Sequence, residues 1–552
     1  MGDAVMPTIT VNKKELLAYI GKKLSDTVLA DRISMLGTDV EEVTRDEVIV
    51  EVPPKRPDLL STPGLGRALA LCTGVRKGLQ LYTVKPSGNK VIVTKEVKKI
   101  RPYTACAIVR GLHVTDEKIK EIMNMQEKLH ITFCRQRKKA AIGIYPLEKI
   151  TFPITYTAKK PKDIAFHPLE GKGVMSAEEI CALYTDYAHL LKDKPLYPLF
   201  IDAKDEILSM PPLINSHTVG KVTKETQEIF IEASGFSLEI VKKCVTILIT
   251  AFAEMGGHAE SVQIEYGQET ITTPDVTPSQ KKIHKEYIEQ MIGIQLSEKD
   301  LKNYLEMMGH SYAQGRVMIP AYRTDILHDI DIAEDVAIAY GYENMEGIIP
   351  QIATIGKEDD EEQLDTLLRK VFSAAGLVET KSYNLASEEL LNTKMRRKEK
   401  LVTLANAITE EYNTLRNAVV PSLIDTLQTN KHNEYPQKIF TIGNTFTLGK
   451  TETGVEERMH LGIALSGRDM TFTTIKQIVD VLANACDCVI TIKEKEYEMY
   501  ISGRSGEIRC QGEVIGNLGE IHPEVLTNCS LEMPVVACEI DIPLLLMIIK
   551  QK

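Results

Sequence analysis

The densest chemistry in this sequence lies in Arg323-Thr-Asp-Ile-Leu-His-Asp-Ile-Asp-Ile-Ala-Glu-Asp335, which sets Asp325, Asp329, Asp331, Glu334 and Asp335 within eleven residues. Carboxylates so close repel one another unless something neutralises them. Two arrangements fit the spacing. Val336, Ile338 and Ala339 continue an apolar helical face. A helix capped by Asp331, with Glu334 and Asp335 in its first turn, would put these charges at the positive end of the helix dipole, each stabilised by ~0.3–1 kcal/mol. A hard divalent cation bound by oxygens and keeping several waters fits the same cluster. Spacing alone leaves both open.

Other groups of this kind are weaker. Cys486 and Cys488 are the one close pair among ten cysteines, and with no further ligands nearby they read as buried, reduced thiols. Gly64-Leu-Gly-Arg67 follows a proline-rich loop and lacks a third glycine, so turn chemistry explains it better than a nucleotide fingerprint. Basic clusters occur at Arg135, Arg137, Lys138 and Lys139, at Lys159, Lys160 and Lys162, and at Arg396, Arg397, Lys398 and Lys400. With 66 basic and 77 acidic side chains the net charge is −11, which excludes a surface built throughout to neutralise phosphates. Any RNA contact is therefore local, and most of these clusters read as solvated faces.

The elements that must position these groups follow from length and pattern. A chain of 552 residues, 43% apolar and 26% charged, is too long for one core and has an ordinary globular composition. No repeat of 20–50 residues is visible, so dissimilar domains are expected. Residues 8–81 read as strand, helix, strand and helix, with Val48-Ile-Val-Glu-Val52 stopped by Pro53 and Pro54. Residues 91–264 alternate strands, such as 105–109 and 230–233, with helices, including 238–255 ahead of Gly256-Gly257. Helices are expected over 280–291, 298–308 and 332–340, with a strand at 317–320, an order that suits a winged-helix-like unit. Residues 357–363 read as an acidic hinge before a helix carrying Leu364, Leu367, Leu368 and Val371. Beyond residue 381, strands at 438–442, 460–465 and 535–540 alternate with helices, as in an antiparallel sheet with helices on one side. The apolar run 544–549 belongs either to a partner contact or to the core. Residues 1–10 show no leader pattern and no apolar run approaches the roughly 20 residues needed to cross a bilayer, so a cytoplasmic protein without membrane association is expected.

The segment from Val317 to Tyr342, with Tyr-Arg-Thr-Asp-Ile-Leu-His followed by Ile-Ala-Glu-Asp-Val-Ala-Ile-Ala-Tyr-Gly-Tyr, resembles the magnesium-binding domain of phenylalanyl-tRNA synthetase β subunits. Further motifs similar to that family stand in order: Val52-Pro-Pro-Lys-Arg-Pro-Asp-Leu-Leu60, Gln126-Glu-Lys-Leu-His130, Arg137-Lys-Lys-Ala-Ala-Ile-Gly-Ile144, Pro211-Pro-Leu-Ile-Asn-Ser216 and Gly519-Glu-Ile-His-Pro-Glu524. The resemblance covers nearly the whole chain. It lacks the inserted oligonucleotide-binding barrel and the C-terminal anticodon-binding extension common in bacterial relatives, which points to the archaeal or eukaryotic type.

The resemblance implies a multidomain α+β chain: an N-terminal α+β domain (1–90), a mixed α/β tRNA-editing domain (91–270), a winged-helix-like magnesium-binding domain (271–350), and a C-terminal antiparallel sheet with helices (356–552) resembling an inactive class II synthetase core. Carried over by position, the Mg2+ ligands fall on Asp325, Asp331, Glu334 and Asp335, and the editing residues on Glu127, Arg137 and Asn215. An acid and an amide suit a phenol and an α-amino group, and an arginine suits an RNA phosphate. With no nucleophile implicated, a positioned water would attack the ester. The sequence departs from the family at Cys134, where glycine is usual, and at Tyr145-Pro146, where His-Asp is usual. In the last domain Leu415-Arg-Asn-Ala-Val-Val-Pro-Ser-Leu423 resembles the interface segment, and Lys438-Ile-Phe-Thr-Ile-Gly443 its paired strand with Thr441 in place of glutamate. No Phe-Arg-x-Glu or Gly-x-Gly-x-x-Arg motif supplies the arginines that would hold ATP phosphates.

The implied function is the β subunit of phenylalanine–tRNA ligase, a scaffold for a catalytic α subunit in an (αβ)2 heterotetramer. ATP and phenylalanine enter through α, tRNA(Phe) is bound, and tyrosyl-tRNA(Phe) is hydrolysed in editing. The alternatives are a free-standing tRNA deacylase and a scaffold whose editing site is dead.

Overall fold

The computed structural model describes residues 7–112 and 115–551. Residues 1–6, part of the stretch read for a leader pattern, lie outside it, as do His113, Val114 and Lys552. The chain divides into two compact units between Ile348 and Ile349. Among the described residues, no helix is long and apolar enough to cross a membrane.

The first unit opens with three antiparallel strands in the order Thr8–Asn12, Glu47–Glu51, Asp39–Val43. Alternation along Glu47-Val-Ile-Val-Glu51 sends Val48 and Val50 into the core, against Leu16 and Ile20 of the helix Lys13–Ile20 and Leu29 and Ile33 of the helix Asp26–Met35. The sequence pattern suggested one helix here. Gly21, at φ 77°, ends the first, and Ser25 caps the second by accepting from the Val28 N–H. The two glycines of the Gly-x-Gly are explained by packing rather than by a turn: a Cβ on Gly66 would stand 2.4 Å from Tyr19 Cβ, and one on Gly64 2.0 Å from Asp58 O. Both lie in the helix Thr62–Cys72.

A ten-stranded sheet follows, ordered Ile214–Asn215, Ile207–Met210, Tyr197–Ile201, Ile154–Lys159, Val84–Val93, His258–Tyr266, Tyr103–Arg110, Ile229–Gly235, Ala140–Pro146, with Glu269–Thr273 also paired to His258–Tyr266. Val84–Val93 runs parallel to both its neighbours; the other pairs are antiparallel. The strand Ile229–Gly235 is buried along its whole length. Ile229, Ile231 and Ala233 meet the helix Leu238–Glu254, while Phe230 turns to the other face with Tyr145, Tyr156 and Phe200. Alternation thereby places Glu232 on the Phe230 side.

Three short strands, in the order Ser279–Lys282, Arg316–Ile319, Ser311–Ala313, then combine with the helices Lys285–Ile292, Glu298–Met307 and Asp329–Tyr340 around Leu301, Leu305, Val317, Ile332 and Val336. Residues 280–282, expected as helix, are strand because they pair with Met318, Val317 and Arg316. The acidic helix starts at Asp329 with His328 as its N-cap, so Asp331 is not the cap but the third residue, and Glu334 and Asp335 lie beyond the first turn.

The second unit is a seven-stranded sheet: Val378–Glu379, Gln437–Leu448, Val455–Ser466, Val535–Asp541, Glu513–Ile521, Tyr500–Cys510, Ile490–Glu494. Only the first pair is parallel. Helices cover both faces, where the sequence pattern placed them on one. Asp360–Ala374, Phe472–Ala485 and Ile542–Lys550 pack on Phe440, Ile442, Leu461, Ile463 and Ile540; Val420–Thr429 packs on Ile439, Ala464 and Ala537 opposite. The near-continuous apolar run of Val535–Asp541 reflects burial on both sides. The apolar run near the C-terminus belongs to the core through Leu545 and Ile548. Residues 360–363, read as hinge, are the first turn of a helix capped by Asp359.

Candidate functional site

A cavity of about 680 Å³ opens between the helix Asp116–Ile131, the edge strand Ala140–Pro146 and the strands Ile207–Met210 and Ile214–Asn215. Its wall is mainly apolar, from Ile122, Met123, Ile142, Ile144, Pro211, Leu213 and Ile214. Glu127, Arg137 and Asn215, separated widely in sequence, all line it.

Arg137 reaches the cavity through an uncommon turn. Arg135, Gln136 and Arg137 are all left-handed, at φ 49°, 52° and 60°. Such residues cost roughly 1–2 kcal/mol each. The turn is held by N–H groups of Arg135, Gln136 and Arg137 donating to the carbonyls of Thr132, Ile131 and His130 at the helix end. Cys134, in the place of the family glycine, lies outside this left-handed run, and its thiol is buried 3.6 Å from that of Cys244. Arg137 Nη1 donates to the carbonyls of Pro212 and Leu213 at 3.1 and 2.9 Å, Nη2 donates to Glu127 Oε2 at 3.0 Å, and the guanidinium lies 4.1 Å from the Tyr187 ring centroid. Nη1 and Nη2 thus tie the helix to the 212–213 turn, while Nε, also buried, has no hydrogen-bond partner.

Glu127 is fixed as an anion. His130 Nε2 accepts from the Ile142 N–H at 2.8 Å, so its proton sits on Nδ1, 3.3 Å from Glu127 Oε2. That hydrogen bond and the Arg137 charge hold Glu127 down to about 2, while burial lowers His130 to about 4. At neutral pH the pair is a carboxylate beside a neutral imidazole. Asn215 is held loosely, its Nδ2 3.5 Å from Ile144 O and its Oδ1 3.5 Å from the Tyr145 hydroxyl.

Among the other polar residues that line the cavity, the sequence reading missed Ser209 and Glu232. Glu232 is 2% exposed, burial pushes its carboxyl up to about 8, and its Oε2 has no hydrogen-bond partner. The signal was present: one glutamate inside the apolar strand Ile-Phe-Ile-Glu-Ala.

The acidic segment is neutralised by the protein itself. Arg323 holds Asp325 through Nε and Nη2 at 2.9 and 2.7 Å and reaches Asp335 at 2.9 Å; Asp335 also meets His310 Nε2 at 2.6 Å. Asp331 accepts from the Leu327 and His328 N–H groups at 2.7 and 2.6 Å, Glu334 pairs with Lys55 at 2.6 Å, and Asp329 with Lys281 at 3.2 Å. Asp325, Asp331, Glu334 and Asp335 therefore do not converge on one point. Among the described residues no group of three or more His, Cys, Asp or Glu has metal-holding geometry. The four carboxylates do not fit a single magnesium ion.

The Phe-tRNA synthetase beta subunit B1 domain matches residues 6–74, the tRNA synthetase B5 domain residues 281–342, and the phenylalanyl tRNA synthetase beta chain CLM domain residues 346–542. These define a multidomain α+β subunit of an aminoacyl-tRNA ligase. The β subunit of phenylalanine–tRNA ligase from Pyrococcus horikoshii is 38% identical, with 97% of this chain and 99% of that protein covered. The one from Thermococcus sibiricus is 37% identical over 97% and 98%. A solved N-terminal fragment of the phenylalanyl-tRNA synthetase β subunit from Pyrococcus horikoshii is similar at a TM-score of 0.59 and 38% identity, covering 61% of this chain and all of the fragment. The chain belongs to the phenylalanine–tRNA ligase β subunits, of the archaeal type.

Proposed function

We propose that this chain is the scaffold of an (αβ)2 phenylalanine–tRNA ligase and hydrolyses tyrosyl-tRNA(Phe) in the cavity described above. ATP-dependent attachment of phenylalanine to tRNA(Phe) takes place on the α subunit. Glu232 carries the editing reading. It is a buried carboxyl with one oxygen unpaired, lining together with Ser209 a cavity whose wall is mainly apolar. An apolar pocket rejects a ligand bearing one additional hydroxyl by only roughly a hundredfold, whereas buried polar groups built for that hydroxyl discriminate far better. Ionised Glu127 offers charge to an α-ammonium, Asn215 has its amide nearly free, and a water held among these groups attacks the ester. Arg137 keeps Glu127 and the 212–213 turn in register.

Within this proposal residues 1–90 form the N-terminal domain, 91–270 the editing domain, 271–350 the winged-helix-like domain and 356–552 the class II-like core without catalytic arginines. Docking of α is supported by exposed apolar groups on the second unit, where Ile408 is fully exposed and Tyr383 and Tyr412 meet edge-on at 5.6 Å. Magnesium enters with the ATP phosphates on α; on this chain Arg323 stands between two of the carboxylates expected to bind it, and no step passes through them. The cytoplasm is the compartment for such an enzyme.

The test is release of tyrosine from tyrosyl-tRNA(Phe) by the complex co-expressed with an α subunit. We expect Asn215→Ala to slow release at least tenfold without changing phenylalanine attachment. Equal, slow release by wild type and variant in an aminoacylating complex would leave the scaffold and remove the editing role.

A further inference from the structure

Resting on the editing reading, the geometry points to Tyr145 as the residue that orients Glu232, fixing one carboxyl oxygen so that the other is presented to the hydroxyl of the tyrosyl group. Tyr145 stands where the family pattern has histidine, and it lies behind the cavity wall. Its ring is fully buried and its centroid is 5.9 Å from that of Phe230, which leaves the hydroxyl little freedom. That hydroxyl has a single proton: it stands 3.1 Å from Glu232 Oε1, to which it donates, and 2.7 Å from Ser209 Oγ, whose own O–H supplies the second bond. The arrangement needs Gly143 between them: a Cβ there would stand 2.1 Å from Tyr145 Oη and 2.5 Å from Glu232 Oε1.

The consequence is an asymmetric carboxyl. Oε1 is satisfied by the Tyr145 hydroxyl, while Oε2, equally buried, has no partner. A buried polar atom left unpaired costs about 1–3 kcal/mol, so a ligand hydroxyl that pairs with it gains what a phenyl ring cannot. Without the tyrosine hydroxyl the carboxyl could turn either oxygen toward Ser209, and the recognition geometry would be lost. Tyr145 thus acts through Glu232 and is a positioning residue. The Glu232 pKa, raised by burial and moderated by the Tyr145 hydrogen bond and the Arg101 charge, agrees with a group tuned by these neighbours.

In the assembled complex, hydrolysis of tyrosyl-tRNA(Phe) and phenylalanyl-tRNA(Phe) is compared for wild type, Tyr145→Phe, Glu232→Ala and the double variant. We expect Tyr145→Phe to slow tyrosyl release at least tenfold and phenylalanyl release less than twofold, and to add nothing to Glu232→Ala. Unchanged selectivity, effects that multiply in the double variant, or faster tyrosyl release by Tyr145→Phe would each overturn the assignment, the last because it would mean that the phenol occupies the substrate's place. Calorimetric binding of 3′-tyrosylamino-3′-deoxyadenosine and its phenylalanyl counterpart separates this from the editing reading. A wild-type preference for the hydroxylated analogue that Tyr145→Phe abolishes supports the positioning role even if no ester is hydrolysed. No preference in the wild type overturns it.

Discussion

At the residue scale, the cavity sets two carboxyls in opposite states. Glu127, beside His130 and Arg137, is held near 2, and Glu232, whose burial outweighs the Tyr145 hydrogen bond and the Arg101 charge, is pushed up to about 8. The stability consequence of the second has a definite sign. Its folded value lies above the ordinary 4.5, so its contribution is complete at acid pH and is lost as pH rises from about 4.5 through 8. We therefore expect Glu232→Gln to flatten the pH dependence of urea unfolding between pH 5 and 8, with the gain over wild type largest at pH 8 and on the order of a few kcal/mol. A parallel loss in both proteins would show that Glu232 titrates normally. The sequence made Glu127, Arg137 and Asn215 legible because they sit in motifs. It hid Ser209 and marked Glu232 only as a glutamate inside an apolar strand, since nothing local tells that the strands carrying them meet at one cavity. It also hid the commitment of Arg137 to the 212–213 carbonyls, which depends on three consecutive left-handed residues.

At the scale of elements, the acidic helix Asp329–Tyr340 turns on which cation answers its charge. The spacing allowed a helix dipole or a metal, and the partners found are Arg323, Lys55 and Lys281, from segments that sequence proximity mostly does not reveal. The error in the cap had a simple cause: the helix begins two residues before Asp331, which then serves as third residue and accepts from two N–H groups. Arg323 is 6% exposed and bridges Asp325 and Asp335. Removing it leaves Asp335 buried and Asp325 half-buried without this cation, and we expect Arg323→Met to cost about 3–5 kcal/mol in chemical unfolding of the first unit. Chelation of divalent ions should leave the wild-type melting temperature unchanged; a drop on adding EDTA, reversed by magnesium, would show that an ion shares this charge.

At the scale of the whole molecule, the two units are joined by a stretch, residues 345–359, that carries neither helix nor strand and exposes Ile348, Ile349, Ile352 and Ile355, the last at 97%. Backbone without hydrogen-bonded structure is where proteases enter. Brief thermolysin digestion of the chain alone is expected to cut first within this stretch and leave two resistant fragments; first cleavage inside either unit would contradict the division. In the complex with an α subunit, protection of the stretch would mark it as covered. The order of strands and helices was legible through most of both units because period and turn residues repeat faithfully. Which faces they cover was not: Val420–Thr429 lies on the opposite side of the second sheet from the other three helices, and only the burial of Ile439 and Ala464 shows it.

Gly143 has a significance beyond the space it leaves. On the proposed reading, one hydrogen atom in place of a methyl group separates a carboxyl set by a tyrosine from one displaced by it. Selection on the accuracy of the genetic code would then act on a codon for the plainest of residues, one that never touches the substrate, and drift there would surface as tyrosines scattered through the proteome at phenylalanine positions.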